Sequence, residues 1–388
     1  MPKTRPELRP DPNFRPNPQR ALYVQGPVDQ ALVDRLTPKI LDFQSAARDP
    51  ITVYVDSPGG NTFLSDRLLK LLRSSTQDYE PPCHLITVVT GLAASAAADI
   101  LCSGDYVLGY PNSTILYHGV RREEGELTME RASMLAEALR ISNTRYAVEL
   151  TKRAESRFLL RYFVYLKPKF TEFRSQPGRE TADDISCFCG LLGQRLSMNA
   201  SRLVAQAEER SLRYHTLFDK VLRKIGRAQA GQGSERRLQA AILKALLDFE
   251  VSSSRKDEAW SLRHGGLAQL NEDFSLLMEF LDNSHGLHFQ HVCQRWGDFI
   301  LSSEEKAHLA NLSPASAGEK RLELARPHLL APWALFVALC HSLQSGEHIL
   351  TARDGFWLGL VDEVIGESDL PCTRMMFEYQ LPSEETRK

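Results

Sequence analysis

"TGLAASAAADI", residues 90–100, carries one hydroxyl, Ser95, inside a run of small and mostly apolar residues. Taken alone, such a run reads as alanine packing in a helix with a buried serine. A second reading makes Ser95 the first residue of that helix. There it would lie beside unpaired backbone N–H groups and the positive end of the helix dipole, both suited to an oxyanion. Small neighbours would then let a substrate backbone approach. The segments on either side decide between the two readings.

Upstream, "VDSPGGNT" (55–62) ends a strand and opens a helix. Its two glycines allow a turn in which amide N–H groups face a ligand, although a plain strand-to-helix turn explains the same residues. Downstream, "YPNSTILYHGV" (110–120) puts His118 at the end of a strand, where a lone histidine is more often structural. Together the three segments supply what acyl transfer needs: a nucleophile, a base, and two donors for a tetrahedral oxyanion. Ser95, His118 and the amides of Gly60 and Ala96 fill those places, all from loops at strand ends.

The surrounding pattern is alternating α/β. "ALYVQG" (21–26), "ITVYVD" (51–56) and "LITVVT" (85–90) read as strands, separated by helical spacing over 29–47 and 63–75. Two short strands are expected near 105–109 and 113–119, then a long helix over 127–153. This order implies a mainly parallel sheet with ligand chemistry at the carboxyl ends of its strands. From 154 to 326 the periodicity is helical, with "GRAQAGQGS" (226–234) reading as a linker between helices. Compact α/β character returns over 327–366, and 367–388 reads as a tail. Residues 1–20 are proline-rich and without an apolar core, which predicts an extended mobile arm rather than a secretory signal.

Composition narrows the function classes. A net charge of −2 gives no footprint for nucleic acid or an anionic membrane. Seven irregularly spaced cysteines read as reduced thiols in a cytoplasm-like compartment. "APWALFVALC" (331–340) is too short to span a bilayer, so no membrane segment is expected.

The order of "DSPGG" (56–60), "GLAAS" (91–95) and "PNSTILYH" (111–118) resembles the proteolytic subunit of the Clp protease, the caseinolytic serine peptidase family. The later "ILTARDGFWLGLVDEVI" (349–365) is similar to that family's closing segment. The resemblance covers about 20–153 and 327–366. It implies the Clp protease/crotonase-like α/β superhelical fold, here interrupted by a mainly α-helical insertion. It also implies Ser95 as nucleophile, His118 as general base, Gly60 and Ala96 as oxyanion-hole donors, and Gly59 with Gly60 as substrate-binding backbone. The triad acid falls three residues before Leu350, at Glu347, where the family carries aspartate; Asp354 is the fallback. A peptide or unfolded protein substrate, a homo-oligomer and an AAA+ unfoldase follow from the same resemblance, and no cofactor does. Two other readings stand beside it: an inactive paralogue whose helical insertion binds a partner, and a crotonase-like acyl-CoA enzyme.

The insertion of about 170 residues far exceeds ordinary loop lengths. Within it His285, His288, His291 and Cys293 lie close in sequence. They have no paired partner motif, so they read as a polar helix face rather than a zinc site. "FLLRYFVYLKPKF" (158–170) mixes aromatic and basic residues and reads as the edge of a core helix rather than a nucleic-acid surface.

Overall fold

The computed structural model describes residues 16–74, 82–121, 128–229, 235–254, 266–281, 287–367 and 369–370. The proline-rich arm before residue 16 and the tail beyond residue 370 lie outside the described residues. The end of the arm is anchored. Pro18–Arg20 form one 3-10 turn capped by Asn17, whose amide donates to Thr52 Oγ1 at 2.8 Å. The buried Arg20 guanidinium donates to the carbonyls of Phe43 and Ala47.

Strand and helix then alternate as the hydrophobic pattern requires. The elements are β1 (Ala21–Gln25), α1 (Gln30–Ala46), β2 (Ile51–Ser57), α2 (Thr62–Arg73), β3 (Leu85–Ala94), α3 (Ala96–Cys102), β4 (Tyr106–Gly109) and β5 (Thr114–His118). Next come α4 (Met129–Leu160), a π-helical turn over Arg161–Leu166, α5 (Phe170–Arg174), α6 (Asp184–Gly193) and α7 (Met198–Gln229). Helices α8 (Glu235–Ser254), α9 (Gly266–Glu279), α10 (His288–Ile300), α11 (Ser303–Ala310) and α12 (Pro314–Leu343) follow. The chain closes with β6 (Glu347–Thr351), α13 (Ala352–Trp357) and β7 (Glu363–Val364).

The sheet runs β1-β2-β3-β4-β7, with every neighbouring pair parallel. Residues 51–53 and 85–89 are buried on both faces, as parallel strands covered by helices require. β5 pairs parallel with the end of β3 and antiparallel with β6, which makes the sheet mixed. α1 buries Leu32, Val33, Leu36 and Ile40 at helical spacing and is capped by Asp29. Its buried Gln44 amide donates to the carbonyls of Leu71 and Ser74, closing the carboxyl end of α2.

The chain forms two compact units that cut it at other places than 154 and 326. Residues 1–119, 153–205 and 345–388 make the first, 120–152 and 206–344 the second. Long-range contacts explain why 153–205 stays with the sheet. Arg157 donates to the carbonyls of Gly359, Gly104 and Cys102 and lies 3.6 Å from the buried Asp362 carboxylate. Arg161, one turn on, donates to Val361 O and stacks on Phe356 at 4.4 Å. A Cβ on Gly359 would meet Phe158 N at 2.8 Å, so only glycine fits that contact. The aromatic stretch 158–170 is core: Phe158 and Tyr162 both pack on Phe188. Arg157→Ala leaves the Gly359, Gly104 and Cys102 carbonyls without that donor and removes a cation beside Asp362, which keeps the Val107 amide. It is expected to cost about 2–4 kcal/mol in a denaturant melt.

The second unit is helical among its described residues, with an isolated bridge between Leu281 and Leu287. Trp333 is fully buried there among Phe218, Phe280 and Phe289, with ring centroids 4.7–5.0 Å away. "PHLLAPWALFVALCHSLQ" (327–344), expected to open the closing α/β part, instead continues α12, with Pro327 and Pro332 inside the helix. By length and composition alone α12 is long and apolar enough over Ser316–Leu343 to cross a membrane, as the core helix of a folded protein also can be. Its apolar window is 61% buried within the protein. The linker expected from 226 is helical as far as Gln229, and 230–234 lie outside the described residues.

Candidate active site

The site begins with a break in β3. Val89 pairs with Gly109 of β4, and from Leu92 the same strand pairs with Thr114 of β5. Against β2 the register shifts between Val55 and Ser57. Asp56 holds this bulge, its Oδ1 accepting Leu92 N at 3.0 Å. Gly91 is required there, since a Cβ would lie 2.7 Å from that same oxygen. The redirected strand delivers Ser95 to the turn into α3.

Ser95 has φ 54° and ψ −126°, and it alone among the described non-glycine residues has positive φ. Its amide donates to Leu116 O at 2.8 Å, and its carbonyl accepts Ala98 N at 2.9 Å. Both ends of the strained residue are therefore fixed, against β5 and against α3. Its side chain makes no capping bond, so the hydroxyl of this half-buried serine stays available. The alanines that follow, Ala96, Ala97 and Ala98, are buried.

The "SPGG" loop is sewn to the turn before α1. Ser57 Oγ donates to Gly26 O at 2.6 Å and accepts Gly59 N at 3.1 Å. Val28 N donates to Gly59 O, and Asn61 N donates to Val28 O. Gly59, at φ +85°, lies against the serine: a Cβ there would fall 2.4 Å from Ala94 O and 2.8 Å from Ser95 Cβ. At Gly60, φ +151°, a Cβ would fall 2.6 Å from Val28 O. Among the described residues, neither the Gly60 nor the Ala96 amide donates to any group. Gly59→Ala combines left-handed strain with a backbone clash. It is expected to lower stability by about 2–4 kcal/mol, read from a denaturant melt.

His118 is half-buried at the end of β5, two residues beyond the Leu116 carbonyl that holds Ser95. The antiparallel register sets it opposite Glu347, with Leu116 opposite Ile349 and Thr114 opposite Thr351. Tyr117 and Ile115 point to the other, buried face. Directly opposed residues share a face, so His118 and Glu347 project to the same side of the sheet. The ring does not bond Glu347, however: His118 Nδ1 lies 2.7 Å from Gly119 O. With Nδ1–H donating to that carbonyl, Nε2 carries the free lone pair. Glu347 itself is exposed.

The fallback acid, Asp354, has both carboxylate oxygens engaged elsewhere. Asp354 is buried as the third residue of a capping box, accepting from Thr351 N and Oγ1 and from Ser197 N and Oγ. In the second unit His288 and His291 have ring centroids 6.3 Å apart, and Cys293 is buried, its thiol pushed far up by that burial. His285 lies outside the described residues. No group of three or more metal-binding side chains forms among the described residues. Sequence reasoning passed over two acidic residues beside the site. Asp56 announces itself only as the residue before "SPGG", and Asp99 only as the one charge in the alanine-rich run.

A family model for Clp protease matches residues 15–155. The chain carries a Clp protease-like domain. An ATP-dependent Clp protease proteolytic subunit 3 from Rhodococcus jostii is 31% identical over 105 residues, covering 26% of this chain and 48% of the relative. A proteolytic subunit 2 from Pseudomonas aeruginosa is 30% identical over 101 residues, covering 26% and 47%. A solved structure of a ClpP1 mutant from Listeria monocytogenes aligns at 20% identity over 35% of this chain and 72% of that one, with a TM-score of 0.29. The chain spans about half the length of the curated relatives it matches. The matched residues contain the "SPGG", "GLAAS" and "PNSTILYH" segments.

Proposed function

We propose that the Clp protease-like domain is a serine peptidase that cleaves peptide bonds through an acyl-enzyme. Ser95 Oγ attacks the carbonyl carbon while its proton passes to His118 Nε2. The carbonyl oxygen becomes an oxyanion held by the Gly60 and Ala96 amides. Collapse expels the amine, which takes the proton from His118. Water, deprotonated by His118, then attacks the ester and releases the carboxylic acid and Ser95. Glu347, on the same side of the sheet, favours the imidazolium that forms twice in this cycle.

The observation that carries the reading is local to Ser95. Ser95 has positive φ, stands against Gly59, and makes no cap bond through its hydroxyl; among the described residues the Gly60 and Ala96 amides donate to no group. The relatives are named as proteolytic subunits of ATP-dependent proteases, so a homo-oligomer fed by an AAA+ unfoldase is part of the same proposal. One observation favours a silent scaffold instead: His118 Nδ1 is on the Gly119 carbonyl and not on Glu347. Labelling the full chain with a fluorophosphonate probe decides between them. Mass spectrometry is expected to place the adduct on Ser95, and an unlabelled chain would remove the peptidase assignment.

A further inference from the structure

Ser65 lies on the buried face of α2 with Leu68, Leu69 and Leu72, and is itself 2% exposed. A serine inside a helix ordinarily satisfies its hydroxyl on the carbonyl one turn back. Ser65 instead reaches out of its helix: its Oγ donates to Ala96 O at 3.2 Å, in the first turn of α3. Its own amide donates to Asn61 O at 3.0 Å, which places it in the first turn of α2. That turn is held from below. Asn61 Oδ1 accepts the amides of Phe63 and Leu64, and Asn61 N donates to Val28 O at 2.9 Å. Gly60 immediately precedes this cap, and Ser95 immediately precedes Ala96. The two turns meet closely, since a Cβ on Gly59 would fall 3.1 Å from Ala96 N. One hydroxyl therefore joins the helix that starts behind Gly60 to the helix that starts behind Ser95.

We propose that Ser65 is a positioning residue whose hydroxyl holds the Ala96 amide in register with the Gly60 amide, so that one oxyanion accepts from both. The inference rests on the reading of Ser95 as nucleophile with those two donors. Ser65 acts through the Ala96 backbone and not on the substrate. The other bonds on the Ser95 turn run elsewhere, from Ser95 N to Leu116 O and from Ala98 N to Ser95 O. At the far end of the same pair of helices, Arg73 of α2 donates to the Ser103 carbonyl that follows α3. Ser65 supplies the corresponding tie at the end that carries Gly60 and Ala96. An oxyanion donor contributes roughly a hundred- to a thousandfold, and only when it sits at bonding distance from the developing charge. Without the tie both donors remain but their spacing is no longer set, and a loss of about tenfold in the chemical step follows.

The test is fluorophosphonate labelling of the full chain, with the rate resolved into a binding constant, KI, and a maximal rate, kinact. The probe's phosphoryl oxygen takes the place of the oxyanion. Ser65→Ala is expected to lower kinact by about tenfold, with KI within about twofold of the wild type. Ser65→Thr keeps the hydroxyl and is expected to bring kinact back to within about threefold of the wild type. Thermal unfolding followed by circular dichroism checks that each variant is folded. Wild-type kinact in Ser65→Ala, or a loss confined to KI, overturns this inference and leaves the peptidase reading standing. A folded Ser65→Thr as slow as Ser65→Ala overturns it as well, because the hydroxyl is then not the cause. Failure of the wild type to label at any pH overturns both.

Discussion

Peptide turnover by Ser95→Ala is expected to fall by about a thousand- to a millionfold, with thermal unfolding within about 0.5 kcal/mol of the wild type. The two halves of this result have separate causes. The hydroxyl has no hydrogen-bond partner among the described residues, so its removal leaves no donor or acceptor stranded there. The positive φ of 54° costs alanine about what it costs serine, and the amide and carbonyl bonds that hold it belong to the backbone. The chemical step, in contrast, loses its nucleophile outright. His118→Ala is expected to cost a similar factor, and the double variant scarcely more than either, because the two act as one unit. Additive losses would mean that Ser95 and His118 do not share a proton, and a variant with full turnover would move the chemistry elsewhere.

What the sequence revealed of this site follows from how local its constraints are. Gly59 and Gly60 are demanded locally by their positive φ, so "SPGG" is readable as a glycine turn, whereas their close approach to Val28, Ala94 and Ser95 is set by the fold. The alternation of β5 places His118 on the face opposite Ile115 and Tyr117, and that too is written in the order of residues. The unit boundaries are not local. Arg157 and Arg161 look like ordinary charges on a helix until the carbonyls of Gly359 and Val361, about 200 residues away, are brought to them. The two prolines of α12 suggest a break that the surrounding apolar packing overrides.

Glu347→Gln is expected to lower kcat/KM by about ten- to a hundredfold, less than the loss when a buried triad aspartate becomes its amide. A buried aspartate both orients its histidine and faces the imidazolium across a low dielectric. Here the orienting bond to Nδ1 comes from the Gly119 carbonyl, which the substitution leaves in place. What the amide removes is the negative charge opposite His118, and Glu347 is exposed, so solvent screens much of it. The loss should therefore fall on kcat with little change in KM, and it should shrink as salt is added. Glu347→Asp keeps the charge but draws it back by one methylene, and turnover between that of the wild type and the glutamine variant is expected. Undiminished turnover in Glu347→Gln would leave Gly119 as the group that sets the tautomer and would make this a Ser95–His118 dyad.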